Sequence, residues 1–372
     1  MKPVRCVGRR RCAGSRLFVL CAACGIAASA SAQLRVATWN VTNYSGGRVA
    51  EFQTSIYGAF EGRSLAPDVL IGQEFLSQSG VNQFLAILNT APGSPGDWAA
   101  APFINGPDTD NAFFYRTSRV ELLSTTVIAT GGPAPNHPRD VNRYDIRPVG
   151  YSGDGAVIAC YSSHMKAGSG STDQQRRLLE AQRIRDDAAA LPQAWSFVLG
   201  GDFNIQSSGQ AAYVELTTAG DGRFWDPIAT PGSWNNNGSY AIVHTQDPSG
   251  AGGMDDRHDQ LLLSTHLVDS VAMEYVGNPT IPYSTTTWND PNHSYRAWGN
   301  DGTSYNVALT VSGNTMVGPD IAQALRVTAG GGGHLPVVLD LLVPGRLDAP
   351  EVIDFGNVMV GDPAEAVIEV SN

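Results

Sequence analysis

Short apolar runs of strand length recur along the chain, and turns rather than helices separate most of them. Apolar runs of this length, bounded by turn residues, predict buried β-strands. They are 34–39, 69–72, 112–115, 157–162, 196–199, 260–263 and 337–342. Helical patterns are fewer, and they predict a helix at 172–191, which Pro192 ends, and another at 79–88. This alternation over 33–345 predicts one α/β domain, a four-layer sandwich of two packed mixed β-sheets flanked by helices.

The N-terminal residues 1–32 are typical of a secretory signal peptide. A basic start without acids is followed by an apolar stretch at 17–28 and by the small residues 30–32, which predict a cleavage site. An uncleaved membrane anchor is the alternative, but the apolar stretch is shorter than the roughly 20 residues that span a bilayer. Cys21 and Cys24 raise a lipoprotein alternative, although neither follows a convincing lipobox. We therefore expect a secreted, periplasmic or extracellular protein without stable membrane insertion.

Charge and cysteine content restrict the range of possible functions further. The chain has 24 basic and 35 acidic residues, and six of the basic ones lie in the predicted signal. Removal of the signal leaves 18 basic residues and a net charge of about −17. Such a balance excludes non-specific clamping of nucleic acid by a basic surface, although a bound metal can offset repulsion at one site. Cys160 is the only cysteine outside the signal, so we predict no intramolecular disulfide and a buried, unreactive thiol.

The residues that carry chemistry stand where apolar runs end or begin. Asn40, Glu74 and Asp202 follow predicted strands, whereas Asp259 and His334 precede them. Carboxylate and carboxamide oxygens are the ligands that Mg²⁺ prefers, and a histidine paired with an acid can handle a phosphate and a proton. This inventory predicts a divalent-metal-dependent phosphoester hydrolase.

Several short segments, taken in their order, resemble the endonuclease/exonuclease/phosphatase superfamily, the deoxyribonuclease-I-like metal-dependent phosphoesterases. The segments are Thr38-Trp39-Asn40, Gln73-Glu74, Gly201-Asp202-Phe203-Asn204, Arg257-His258-Asp259 and Gly333-His334-Leu335-Pro336. The resemblance extends over nearly all of the chain beyond the predicted signal. It implies a Mg²⁺ cofactor, with Mn²⁺ as an alternative, held principally by Glu74 with support from Asn40.

The resemblance also implies catalytic roles for other residues. Asp202 orients or deprotonates the attacking water, and Asn204 holds the nucleophile or the phosphate in line. His334 stabilises the charge that gathers on the phosphoryl oxygens, and Asp259 fixes its orientation and its charge. His164 lies in a segment that looks like the His-Leu-Lys segment of the family, in which the histidine contacts phosphate or serves as a general acid.

One position departs from the family pattern. The family has Ser-Asp-His where this chain has Gly332-Gly333-His334, so a carboxylate that normally lies beside the metal is missing. We expect this loss to weaken metal binding or to disfavour a two-metal arrangement. The carboxylates considered as replacements in space are Asp301, Asp320, Asp255 and Asp256.

Two further stretches stand apart in composition. Residues 270–332 are rich in Gly, Asn, Tyr, Trp and Thr and predict loops over one rim. Their segment 295–302 either grips a substrate or packs on itself, and self-packing is the preferred interpretation. Residues 346–372 resemble a linker and the first strands of an immunoglobulin-like module of the Hydin or choice-of-anchor type. Two strands cannot form such a module alone, so either the chain is truncated or the strands dock on the catalytic domain.

The functional prediction is a secreted Mg²⁺-dependent phosphodiester hydrolase, monomeric, with extracellular nucleic acid as the expected substrate. A phospholipid head group or a small phosphate ester is the alternative among enzymes, and a degenerate binding module is the alternative outside them. The catalytic interpretation requires Glu74, Asp202 and His334 to converge in space. It also requires Asp259 to lie within hydrogen-bond reach of His334.

Overall fold

A computed structural model describes residues 4–8, 33–345 and 364–368. Contacts divide the chain into two units, of which Gln33–Val343 is one and the two ends of the chain are the other. In the unit formed by the ends, one strand, Val4–Gly8, pairs antiparallel with another, Ala364–Ile368. Most of the predicted signal peptide and of the predicted immunoglobulin-like strands lies outside the described residues, so both stay predictions.

The larger unit alternates strands and helices along the chain. Its strands are β1 (Gln33–Tyr44), β2 (Val69–Phe75), β3 (Trp98–Ala100), β4 (Asp110–Arg116), β5 (Val120–Ala129), β6 (Val141–Pro148), β7 (Ile158–His164), β8 (Ser196–Asp202), β9 (Phe224–Trp225), β10 (Asp259–Ser264), β11 (Glu274–Tyr275), β12 (Arg296–Ala297) and β13 (Val337–Leu342). Its α-helices are α1 (Val49–Tyr57), α2 (Gln78–Thr90), α3 (Ser171–Ala190), α4 (Ala211–Thr217) and α5 (Gly318–Thr328). Every apolar run that predicted a strand coincides with one of these strands, and both predicted helices are present as α2 and α3.

The strands form two mixed sheets. One sheet has six strands in the order β9-β10-β8-β7-β6-β5. The other has seven, in the order β11-β13-β1-β2-β4-β3, with β12 also paired to β13. The pairs β1–β2 and β7–β8 are parallel, and their neighbours in each sheet run antiparallel. Since parallel strands carry their C-terminal ends to the same edge, each sheet gathers polar residues at one edge.

The two sheets pack face to face through one buried cluster. Val36 and Ile71 of the seven-stranded sheet share this cluster with Ile158, Val198 and Leu261 of the six-stranded sheet. The side chains come from alternate positions of each strand, as expected when one face of a strand turns towards a core. Cys160 belongs to the same cluster, which confirms its predicted burial, and burial raises the pKa of its thiol.

Helices cover the outer face of each sheet and complete four layers. Phe52 of α1 and Phe84 of α2 lie with their ring centroids 5.0 Å apart, in the cluster that also contains Trp39 of the seven-stranded sheet. Ile184 of α3 packs in the cluster that contains Leu199 of the six-stranded sheet. The predicted four-layer sandwich is therefore confirmed. None of the helices in the described ranges combines the length and apolarity that a bilayer-spanning helix needs.

The segment 270–332 consists mostly of loops, as predicted, but α5 within it was missed. The helix has proline in its first turn and follows a run of polar and glycine residues, so its loop-like composition hid it. Tyr295 and Trp298 are buried, with 0% and 5% of their surface exposed. The segment 295–302 therefore packs on the protein itself, which confirms the preferred interpretation.

Candidate active site

Strand pairing brings the predicted residues to one edge of the sandwich. His164 at the end of β7 lies opposite Asp202 at the end of β8. Asp259 at the start of β10 lies opposite Asp202 on its other side. In the second sheet, Asn40 on β1 pairs with the residue that precedes Glu74 on β2. The two sheets thus place their functional residues on the same side of the molecule.

Glu74 presents a carboxylate whose two oxygens are held separately. Oε1 accepts a hydrogen bond from Asn40 Nδ2 at 3.0 Å, and Oε2 accepts one from the backbone N–H of Asn43 at 2.7 Å. Glu74, Thr42 and Asn43 have φ values of 63°, 57° and 45°. Positive φ values outside glycine are unfavourable and gather at functional sites, most unusually for a β-branched residue such as Thr42. The two hydrogen bonds therefore hold this carboxylate at a sheet edge whose backbone is strained, with its side chain 15% exposed.

Asn40 connects the two sheets. Its Nδ2 donates not only to Glu74 but also to Asp202 Oδ2 at 3.1 Å, while its Oδ1 accepts the backbone N–H of Thr42 at 3.0 Å. The amide therefore holds two carboxylates at a fixed separation. Coordination of a metal through the Asn40 oxygen, which faces Thr42 in this structure, stays a prediction.

Asp202 lies between two histidines. Its Oδ2 is 3.3 Å from His164 Nε2 and 3.5 Å from His334 Nε2. Burial alone would raise the pKa of Asp202, but the positive charges of His334 and His164 outweigh it and hold that pKa well below its usual range. Asp202 is therefore a permanent anion at the centre of the site, suited to accept a hydrogen bond from a water molecule.

His334 and Asp259 form a buried pair. His334 Nδ1 donates to Asp259 Oδ2 at 2.7 Å, and Asp259 is fully buried. Burial would lower the pKa of His334, but the charges of Asp259 and Asp202 raise it to about 10. The imidazole is thus a cation near neutral pH, with Nε2 turned towards Asp202. Glu74, Asp202 and His334 converge with Asp259 in reach, which meets the geometric condition set by the sequence.

Asn204 is tied to the loop that follows His164. Its Nδ2 donates to the carbonyl of Met165 at 3.1 Å, and its backbone N–H donates to Asp202 Oδ1 at 3.1 Å. Asn204 also has a positive φ of 52°. The residue therefore orients both Asp202 and the His164 loop, whereas its contact with a phosphate stays a prediction.

Two buried residues behind the site were not found from the sequence. Glu180 on α3 accepts a hydrogen bond from Ser163 Oγ at 2.6 Å, next to His164, and burial raises the pKa of Glu180 to about 7. Arg177, fully buried on the same helix, donates to the carbonyl oxygens of Lys166 and Gly168. Polar residues on a helix predict solvent exposure by default, so only the fold shows that these two support the His164 loop.

Gly333 leaves no space for a side chain. Its φ is +66°, and a Cβ there would lie 2.1 Å from the carbonyl oxygen of Ala329 and 2.5 Å from Thr42 Oγ1. Of the carboxylates considered as replacements, Asp301 is bound to Thr303 Oγ1 at 2.6 Å and to the N–H of Thr315 at 2.8 Å. Asp301 therefore stabilises its own loop and does not replace the missing carboxylate.

The other replacement carboxylates also differ in their surroundings. Asp320 is exposed in the first turn of α5. Asp256 faces His258, with 3.5 Å between Oδ1 and Nε2, and belongs with Asp255 to a loop beside His334. A carboxylate that the sequence did not indicate, Asp247, lies beside Gly332, the residue before the missing position. Its Oδ1 would be 3.3 Å from a Cβ on Gly332.

The donor set fits a weakly held divalent cation. Glu74 offers a partly exposed carboxylate, and Thr42 Oγ1 nearby is buried without a hydrogen-bond partner. Mg²⁺ needs only one or two protein carboxylates, because water and substrate oxygens complete its octahedron. Among the described residues, no group of three or more His, Cys, Asp or Glu forms a preassembled metal cage. Glu74 is thus the residue best placed to hold a divalent cation, and this role stays a prediction.

Comparisons with known proteins give structural neighbours only. No protein-family profile matches the chain, and no curated protein matches its sequence. A functionally unknown conserved protein from Enterococcus faecalis aligns at 11% identity and a TM-score of 0.48, covering 84% of this chain and 100% of its own. The catalytic domain of human Nocturnin with a bound sulfate anion aligns at 14% identity and a TM-score of 0.46, covering 84% and 95%. D. rerio TDP2 complexed with single strand DNA product aligns at 15% identity and a TM-score of 0.48, covering 83% of this chain and 98% of its own. Function is therefore inferred from the side chains of the site.

Proposed function

We propose that the protein is a divalent-metal-dependent phosphoester hydrolase that acts by in-line attack of water on phosphorus. One observation carries this proposal. A buried His334–Asp259 pair directs a positively charged imidazole towards Asp202, which Asn40 in turn connects to Glu74. The arrangement combines an anion for the water, a cation for the phosphoryl oxygens and a hard oxygen ligand within one site.

Asp202 handles the nucleophile. Its carboxylate accepts a hydrogen bond from the attacking water and orients it towards phosphorus, and the proton of the water is released to solvent as the new P–O bond forms. The low pKa of Asp202 makes it a weak proton store but a persistent acceptor, so its main contribution is orientation of the water. Asn204 and Asn40 fix the carboxylate through hydrogen bonds from the backbone N–H of the first and the side chain of the second.

His334 stabilises charge on the phosphoryl group. As the bond to the leaving oxygen breaks, negative charge gathers on the phosphoryl oxygens, and a preoriented imidazolium N–H stabilises that charge. Asp259 keeps the ring in one orientation and keeps it protonated. His164, whose Nε2 lies 3.3 Å from Asp202 Oδ2, would contact the phosphate beside that carboxylate.

Mg²⁺ or Mn²⁺ would be held by Glu74, with Asn40 in support. When bound, the ion would neutralise phosphate charge and polarise the phosphoryl oxygen. A non-catalytic binding module would have no need for a desolvated His–Asp pair or for strained residues at the sheet edge. The cost of both features favours an enzyme over a scaffold.

The proposed substrate is a phosphodiester, and extracellular nucleic acid, the substrate expected from the sequence, is one candidate. Metal and His334 supply positive charge at the scissile phosphate, which the acidic surface elsewhere does not. A small phosphate ester is the second candidate, favoured by the carboxylates of Asp247, Asp255 and Asp256 beside the site. We further propose that the protein is exported through residues 1–32 and acts as a monomer.

The test is hydrolysis of a substrate panel by the purified protein with Mg²⁺, with Mn²⁺ and with a chelator. Plasmid DNA, RNA, a bis-aryl phosphodiester and an aryl phosphomonoester cover the substrate classes. Glu74→Gln removes the ligand charge at constant size, and exposed Asp320→Asn is the matched control for loss of one carboxylate. Metal-dependent turnover that Glu74→Gln abolishes and Asp320→Asn retains is expected. Turnover that is equal in all three proteins would refute the proposal.

A further inference from the structure

Three carboxylates lie in a pair of short segments, one of which pairs with the backbone of His334. Gln246 forms a β-bridge with His334 and another with Asp256. The neighbouring Thr245 accepts the N–H of Leu335 at 2.8 Å and donates its own N–H to Asp256 at 2.7 Å. This short segment therefore lies between the residues around His334 and the loop that precedes β10. We call the carboxylates that it brings together, Asp247, Asp255 and Asp256, the acidic wall.

Asp247 is the member nearest to the glycines before His334. Its Oδ1 would be 3.3 Å from a Cβ on Gly332, and its Oδ2 would be 3.3 Å from a Cβ on Gly252. Within 33–345 its carboxylate accepts no hydrogen bond and forms no ion pair. Burial raises the pKa of Asp247 to about 6, against the attraction of His334. A half-buried carboxylate without a partner is costly, and it is typical of a surface that meets a ligand.

His258 provides a second and independent observation. The residue is 7% exposed, yet neither ring nitrogen makes a hydrogen bond within the described structure. Its Nε2 faces the wall, 3.5 Å from Asp256 Oδ1. Nearly all buried polar groups in proteins are hydrogen-bonded, so an unsatisfied imidazole between the wall and the reacting centre indicates a ligand group there.

The nearby arginine does not neutralise the wall. Arg257 lies beside Asp256 in sequence, but its guanidinium is fully buried and forms two hydrogen bonds to Asp226, at 2.7 and 2.9 Å. Asn235 contributes an amide, with Nδ2 donating to Asp256 Oδ1 at 2.7 Å. The wall therefore presents negative charge and hydrogen-bond acceptors to whatever occupies the space beside His334.

We propose that the acidic wall selects the substrate: it admits phosphoesters whose group beside His334 is uncharged or cationic and rejects those with a further negative charge there. This inference rests on the proposed hydrolase function. Hydroxyl or ammonium groups can donate to the carboxylates and to His258, whereas a second phosphate would be repelled. The substrate class is then a compact, hydroxyl-rich or cationic phosphoester rather than a nucleic acid polymer.

A matched pair of symmetric diesters tests this selection. Bis(4-carbamoylphenyl) phosphate and bis(4-carboxyphenyl) phosphate are similar in shape, and symmetry places the same group beside the wall in either binding direction. The kcat/KM ratio of the neutral to the anionic diester is measured for the wild type, Asp247→Asn, Asp255→Asn and Asp320→Asn. Comparison of ratios between proteins cancels the intrinsic reactivities of the two esters.

We expect each wall variant to lower the ratio by roughly three- to tenfold, an effect that shrinks as salt rises. Asp320→Asn carries the same charge change at an exposed, distant turn and should leave the ratio unchanged. Thermal unfolding shows whether Asp247→Asn folds. If it does not, Asp255→Asn is compared with the wild type instead. If turnover is intact and the ratio is equal in the wild type and the folded wall variants, the proposed selection by the acidic wall is wrong. The hydrolase function would still stand. No turnover of either ester, with Glu74→Gln identical to the wild type, would refute the hydrolase function and the wall with it.

Discussion

The two halves of the site are built in different ways. Asn40, Glu74 and Asp202 belong to strands, and hydrogen bonds between their side chains connect one sheet to the other. The opposite half consists of the loops 245–258 and 329–334, in which Gly250, Gly252, Gly253, Gly330, Gly332 and Gly333 adopt positive φ. The strand-built half therefore has a geometry fixed by sheet register, whereas the loop-built half has one fixed by glycine conformations.

We therefore assign the reacting groups to the strand-built half and the contacts that select the substrate to the loop-built half. A rigid sheet edge suits groups that must keep their positions within a fraction of an ångström during the reaction. Loops vary without loss of the fold, so they suit contacts that choose the substrate. His334 is the exception, because it comes from a glycine-rich loop but points to Asp259 and Asp202 on the six-stranded sheet. The pair with Asp259 gives this loop residue the fixed position of a strand residue.

The largest effect should follow from breaking that connection. His334→Ala removes the cation from the phosphoryl group, and we expect kcat to fall by about 10³-fold. Steady-state hydrolysis of a bis-aryl phosphodiester measures the loss. His266→Ala is the control, because His266 Nδ1 contacts the carbonyl of Trp195 at 3.0 Å and no residue of the site within 33–345. A loss below tenfold in His334→Ala would contradict the assigned role.

A carboxylate introduced at Gly333, where the resembled family has an acid, should destabilise the folded protein. Gly333→Asp must place a Cβ 2.1 Å from a carbonyl oxygen at a φ of +66°, so we expect a loss of about 3 kcal/mol in unfolding free energy or more. Urea unfolding measures it. Gly331→Asp is the matched control, because a Cβ at Gly331 meets no atom within 4 Å. A Gly333→Asp protein as stable as the wild type, and faster, would show that the loop-built half tolerates the family carboxylate.

The His334–Asp259 pair should leave a signature in pH dependence. The folded-state pKa of His334, about 10, lies above its ordinary value of 6.5. Its contribution to stability is therefore complete below pH 6.5 and is lost as the pH rises towards 10. Asp259→Asn should flatten this decline and move the alkaline loss of activity to lower pH. Histidine NMR titration and pH–rate profiles measure both, and unchanged profiles in Asp259→Asn would contradict the pairing.

The sequence predicted the strand-built half well and the loop-built half poorly. Apolar runs mark strands by length and bounding residues, so the position of Glu74 after one run and of Asp202 after another was readable. Asp247 gave no such signal, because it lies in a Gly-rich loop whose path depends on contacts distant in sequence. The four replacement carboxylates were proposed by composition alone, and the packing around Gly333 could not be known before the backbone was seen.

The buried polar residues of helix α3 were likewise not predictable from the sequence. The pattern of α3 predicted its extent, but Glu180 and Arg177 read as surface residues of a polar helix. Only contacts with the loop after β7 reveal why they are buried. Polar residues buried by tertiary contacts carry no periodic signal that distinguishes them from exposed ones.

The smallest expected effect concerns this support behind the strand-built half. Burial raises the folded-state pKa of Glu180 to about 7 from 4.5, so the folded protein loses stability as the pH rises through that interval. Glu180→Gln should remove this decline and change stability at pH 5 by less than about 1 kcal/mol. Asp186→Asn, exposed on the same helix, should keep the wild-type slope. Thermal unfolding between pH 5 and 8 would contradict the account if Glu180→Gln retained that slope.

Isotope transfer shows whether this site directs water to phosphorus. A bis-aryl phosphodiester is hydrolysed in H₂¹⁸O with Mg²⁺ or Mn²⁺ by the wild type and by Glu74→Gln. We expect one ¹⁸O in the aryl phosphate product and none in the released phenol, and we expect Glu74→Gln to abolish the reaction. Label in the phenol, or equal product from both proteins, would contradict these expectations.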